Sequence, residues 1–99
     1  MSETAVLDDE TTVPLADLVA ASGLPLELVG ELVEWGAFEP VAGAAVMFRS
    51  RTIVMARRAA RLRSAFTLDA AALALALAYL ERIDALERRL RELECSQPR

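Results

Sequence analysis

Ninety-nine residues, 55% of them hydrophobic, with a net charge of −4 and only four Gly and four Pro, suffice for one folded domain and are too apolar for a disordered chain. Every basic side chain is Arg, so the chain lacks both the imidazole that serves most acid–base catalysis near neutral pH and the amine needed for a Schiff base; no enzyme is expected, and no catalytic, cofactor-binding or metal residue is assigned. Cys95 has no partner for an intrachain disulfide, and no basic stretch followed by an apolar core opens the chain, which points to a cytoplasmic setting. The longest apolar run, residues 70–80, falls short of the roughly 20 residues that a membrane span requires, so no membrane partner is expected.

Leu, Ala, Arg and Glu dominate, and the expected fold is mainly α. Residues 1–11 hold Glu3, Asp8, Asp9 and Glu10 around three apolar residues and read as an acidic segment that adds at most one short strand. Pro14 suits the first turn of a helix; Leu15, Leu18 and Val19 continue it and Gly23 stops it. Pro25 opens a second helix, with Leu28, Val29, Leu32 and Val33 on its apolar side and Gly36 at its end. Residues 37–48 contain Pro40 and Gly43 and lose helical periodicity, which predicts a small β-hairpin or wing with a strand over 45–48.

Ser50 or Thr52 can cap a third helix, in which Met55, Ala59, Leu62 and Phe66 recur at core spacing and Arg57 and Arg61 point outward. Thr67 or Asp69 can cap a last helix running to about residue 94. The first half of that helix is apolar all round and needs cover from the other helices and from another chain. Its second half carries Tyr79, Ile83, Leu86, Leu90 and Leu93 at steps of four, three, four and three, a coiled-coil seam supported by Asp84–Arg88 and Glu87–Arg91 at i, i+4. Leu73, Leu77, Tyr79, Leu80, Ile83, Leu86, Leu90 and Leu93 are therefore the expected dimerisation residues of a homodimer. The domain is expected over 12–66, the long helix over 67–94, and a tail over 95–99.

Charge is segregated along the chain. Residues 1–40 hold nine acids and no base, residues 41–66 six Arg and no acid, and residues 67–99 six acids and five Arg. At about 100° per residue, Glu27, Glu31 and Glu34 share one face of the second helix, opposite Leu28 and Leu32. That stripe is either a solvated face or a dock for a basic partner. The Arg set 49, 51, 57, 58, 61 and 63 either neutralises the acidic first 40 residues, meets a partner, or contacts phosphate.

Single residues add little chemistry. Trp35 reads as a packing residue or, alternatively, as a binding anchor, with Leu24 as a second apolar contact. Cys95 reads as an incidental exposed thiol in a fraying terminus. The five Ser have no conventional base to activate them, and the glycines are too scattered for a phosphate loop.

A helix-turn-helix, the turn Gly36-Ala37-Phe38-Glu39-Pro40, a wing, an Arg-rich helix and a terminal coiled-coil helix together resemble the MerR-type winged helix-turn-helix architecture. A DNA-reading second helix needs bases or amides facing the major groove, and here it carries three glutamates and no base, so sequence-specific nucleic-acid binding is not expected and a MerR-type transcriptional regulator is the alternative. The closer resemblance is to the CbpM chaperone-modulator family. It rests on residues 14–18 (PLADL), 32–40 (LVEWGAFEP), 57–63 (RRAARLR) and 77–83 (LAYLERI), in order across about residues 12–94. Val46 departs from the pattern, since family members often carry an aromatic residue there. The resemblance implies binding to the J-domain of a CbpA/DnaJ-type co-chaperone and inhibition of its activity. Such a partner carries a basic helical face, to which Asp17, Glu27, Glu31, Glu34 and Trp35 are the candidate contacts.

Overall fold

The computed structural model describes residues 11–43 and 45–96; the acidic segment read over residues 1–11 lies almost wholly outside them, as does most of the tail. In chain order the elements are β1 (Thr12–Pro14), α1 (Leu15–Ser22), α2 (Leu26–Glu34), β2 (Met47–Arg49), α3 (Arg51–Phe66) and α4 (Ala70–Ser96).

Pro14 does not open the first helix from within; its extended backbone, at φ −72° and ψ 163°, ends β1 and sits in the N-cap position of α1. β1 pairs antiparallel with β2 in the register Thr12↔Arg49, Val13↔Phe48 and Pro14↔Met47. The wing is thus shorter than a free-standing hairpin. Its local pairing is a single bridge, Val41↔Met47, and its second strand is held by β1 from the far end of the sequence. A two-stranded ribbon is marginal unless one face packs on something, and here Phe48 is fully buried.

Two helix ends follow their glycines. Gly23 adopts the left-handed conformation at φ 79°, and its N–H donates to the Val19 carbonyl at 3.0 Å. At the end of α2, Gly36 (φ 83°) donates to the Val33 carbonyl at 3.0 Å while Ala37 donates to the Leu32 carbonyl at 2.9 Å, the paired bonds of a Schellman stop. The third stop is less comfortable: Thr67 takes the left-handed conformation at φ 55°, a position where a Cβ costs about 1–2 kcal/mol. Asp69 then starts α4, its Oδ1 accepting the Ala72 N–H at 2.9 Å. Of the two caps considered there, Asp69 is the one used, and Thr67 instead closes α3. Ser50 holds the N-cap position of α3 but makes no capping bond from its side chain, and Thr52 lies buried inside the helix.

α1 packs on α3, and α4 lies against both α2 and α3. Their shared core contains Leu18, Val29, Leu32, Phe38, Phe48, Leu73 and Leu77. α3 faces it with Thr52, Ala56 and Ala59; of the expected stripe Ala59 is fully buried, whereas Met55 and Leu62 are only half-buried and Phe66 is 66% exposed. Small side chains at that face bring α1 and α4 near the α3 backbone, which turns the larger residues of the same helix outward.

At 1.5 Å per residue α4 is about 40 Å long, and beyond Leu80 its apolar side chains project into solvent. Asp84 does not serve the seam through Arg88; its Oδ2 takes a 2.9 Å ion pair from Arg58 of α3. With both side chains a third or more exposed, that pair contributes at most about 1 kcal/mol. Asp69→Ala should lower the free energy of unfolding by about 1 kcal/mol in a urea titration. Thr67→Gly should raise it, because the left-handed strain removed exceeds the backbone entropy that Gly adds.

Candidate functional site

Burial of Leu28, Val29 and Leu32 fixes which side of α2 meets water. The exposed arc runs through Leu26, Gly30, Glu34, Glu27 and Glu31 in angular order. The structure therefore places the three glutamates together on one solvent-facing side, flanked by Leu26, which is 54% exposed. Gly30 lies between Leu26 and the glutamates, and a Cβ built there would meet nothing within 4 Å.

Beside this face lies an open groove of about 830 Å³. One wall is the α1–α2 turn with Glu27, Leu28 and Glu31; the other is Ala60, Arg63 and Ser64 of α3, continued by residues 67–70. Glu27 and Glu31 thus border the groove on one side and Arg63 on the other. Among the described residues no ion pair joins either glutamate to an arginine, so their carboxylates are open to an external base. Glu34 and Trp35 lie along α2 beyond the groove. Asp17 is exposed in the first turn of α1 and does not line it.

Two apolar expectations change. Trp35 does not pack in the core: it is 62% exposed in the C-cap position of α2, since the Schellman stop turns the chain there and Phe38 fills the interior instead. Leu24 is 2% exposed and belongs to the core, so it cannot anchor a partner. Leu26 stands exposed in its place. Its position at the edge of the glutamate arc follows from helical spacing alone.

The arginines do not form one basic face. Arg57 donates from Nε to the Ala21 carbonyl at the end of α1, at 3.1 Å, and Arg58 pairs with Asp84. Arg49 and Arg51 line a small pocket of about 210 Å³ with Glu39 and Glu81, and Arg63 lines the same groove as Glu27 and Glu31. Among the described residues the ion pair observed, Arg58–Asp84, uses an acid from α4, while Glu3, Asp8, Asp9 and Glu10 of the acidic segment lie outside those residues.

Of the expected dimerisation residues, Leu73 and Leu77 are 0% and 2% exposed. They fill the chain's own core under α2 and α3 and leave nothing for a second chain. Leu80 is half-buried, whereas Tyr79, Ile83, Leu86, Leu90 and Leu93 are each about half exposed or more. Among the described residues no three His, Cys, Asp or Glu side chains cluster as metal ligands, and no buried side-chain nitrogen or oxygen lacks a hydrogen-bond partner. Cys95 is a free, exposed thiol. No helix there is long and apolar enough to cross a membrane.

A short N-terminal strand, a helix-turn-helix, a reduced wing and two further helices define a winged helix-turn-helix protein. The chain belongs to the family described as MerR HTH family regulatory proteins, whose model matches residues 13–95. No curated protein matches the chain.

Gly30→Ala should stabilise the fold by about 0.5–1 kcal/mol, since the site is helical, exposed and sterically open. The midpoint of urea unfolding should rise at unchanged slope.

Proposed function

We propose that the protein is a CbpM-like regulator that binds the J-domain of a CbpA/DnaJ-type co-chaperone, without catalysis of its own, and inhibits its activity in the cytoplasm. The observation that carries this reading is the α2 face: Glu27, Glu31 and Glu34 exposed together, no base on the helix, and, among the described residues, no ion pair to an arginine. The CbpM resemblance supplies a partner with a basic helix, and the open groove beside Glu27 and Glu31 supplies a concave, partly apolar place to lay it. Complementary charge sets the encounter rate and the choice of partner, while Leu26 and Trp35 offer apolar area on either side of the carboxylates. A J-domain held this way presents its basic face to α2 and cannot present it to the DnaK-type ATPase.

The α2 face also weighs against DNA reading by this member of a regulatory family. In a helix-turn-helix the second helix enters the major groove between phosphates, and three carboxylates there meet like charge at a cost of several kcal/mol. The dispersed arginines leave only phosphate contacts, which decline steeply with salt.

Replacing Glu27, Glu31 and Glu34 together by Lys should leave the helical circular dichroism unchanged and weaken J-domain binding at least about tenfold, or about 1.4 kcal/mol. If the folded triple variant still inhibits J-domain-stimulated ATP hydrolysis at the same concentration, the surface is wrong. Anisotropy titrations at physiological salt should show no sequence-selective DNA binding; a nanomolar, sequence-dependent response would favour a transcriptional regulator.

A further inference from the structure

The groove between α2 and the C-terminal half of α3 carries charge of both signs. Glu27 and Glu31 line it from α2, about one turn apart, and Arg63 lines it from α3. All three residues are exposed, and among the described residues none makes an ion pair or a side-chain hydrogen bond within the chain. Arg57 and Arg58 of the same helix differ in this respect, being held by the Ala21 carbonyl and by Asp84. The groove's remaining charge is Asp69, whose Oδ1 already accepts the Ala72 N–H at 2.9 Å. Between the two walls the lining is apolar but shallow: Leu24, Leu28 and Ala70 are only 2%, 9% and 8% exposed. A partner gains little apolar contact there, so the charged walls decide what the groove accepts.

A helix laid in a groove turns one flank to each wall. Two bases four residues apart on such a helix match the spacing of Glu27 and Glu31. The residue midway between those bases lies about 200° round the helix from each, on the flank toward the other wall. We propose that the groove takes an amphipathic helix of a partner protein with the pattern base-x-acid-x-base, its bases meeting Glu27 and Glu31 and its central carboxylate meeting Arg63. Arg63 is then a specificity residue, which disfavours helices that are basic all round through like-charge contact. The pattern reads the same in both chain directions, so it holds whichever way the helix runs along α2. The docking surface is the one on which the proposed function rests, and the helix pattern applies to any partner that carries it.

The test uses stapled helical peptides that carry Arg-x-Glu-x-Arg, with Leu either before or after each Arg to serve the two directions, and all-basic versions in which Arg replaces the Glu. Anisotropy titrations with the full chain at low ionic strength compare the tighter-binding direction of each kind. The natural chain should bind the mixed-charge peptide at least about threefold more tightly, although the all-basic one carries more of the charge that an acidic chain attracts. Arg63→Glu should invert that order, and Arg63→Gln should remove the preference for the mixed peptide, with helical circular dichroism unchanged in both. An Arg63 that serves only to complement the dipole at the end of α3 would shift the midpoint of urea unfolding and leave the peptide order as it was, which contradicts the proposal. A natural chain that prefers the all-basic peptide, or binds neither, also overturns it. If the peptide order holds while an isolated J-domain fails to bind, the groove's specificity stands and the J-domain reading alone falls.

Discussion

The burial of α2 against α4 is the interaction on which the remaining architecture depends. Leu28, Val29 and Leu32 enter the same core as Leu73 and Leu77, and each such side chain contributes about 1.5–3 kcal/mol when fully removed from water. Once that face of α2 is committed inward, its rotation is set, and Glu27, Glu31 and Glu34 have no alternative to solvent. The same contact uses the first half of α4, which leaves the second half projecting past the domain with its other apolar stripe uncovered. One packing decision therefore creates both exposed surfaces of interest, the acidic face and the seam. Leu32→Ala, which opens a cavity at this contact, disturbs both at once, whereas substitutions on either surface act separately.

Much of the helical framework was legible in the sequence because it is local. Gly23 and Gly36 mark the ends of α1 and α2, the apolar spacing of α2 is unambiguous, and the acidic stripe followed from it by geometry alone. The features that escaped were long-range or depended on small residues. No local pattern says that Thr12–Pro14 pairs with Met47–Arg49, because the partner strands lie more than thirty residues apart. Ala56 carries too little hydrophobic signal to outweigh Met55 and Phe66, although its small size, with that of Ala59, is what lets the helices approach. Of the two readings of Trp35, packing residue or binding anchor, its exposure is consistent with the second, since Phe38, two residues past Gly36, reaches the core instead. Leu73 and Leu77, expected to meet both the other helices and a second chain, are taken up by the chain's own core, because an all-round apolar helix does not itself say which neighbour covers which side.

Charge segregation acquires a physical sense in the folded chain. Arg57 and Arg58 tie α3 to its neighbours on either side, through the Ala21 carbonyl and Asp84, while Arg63 overlooks the groove. Arg57 and Arg58 of the basic segment are thus structural, and among the described residues no ion pair within the chain holds Glu27, Glu31 or Glu34. A helix-turn-helix unit of this composition retains the family's shape but presents to a partner a surface of the same sign as nucleic acid. Such a surface favours basic proteins.

The central claim is that the exposed face of α2 receives a basic J-domain helix. The most direct test follows the backbone amide resonances of the isotopically labelled chain as an unlabelled J-domain is added. Shifts concentrated on Leu26, Glu27, Gly30, Glu31 and Glu34, extending to Arg63 and Ser64 across the groove and reversing as salt is raised, are the predicted result. Shifts confined to residues 79–93 or to the arginines of residues 49–61, with α2 unmoved, would contradict it.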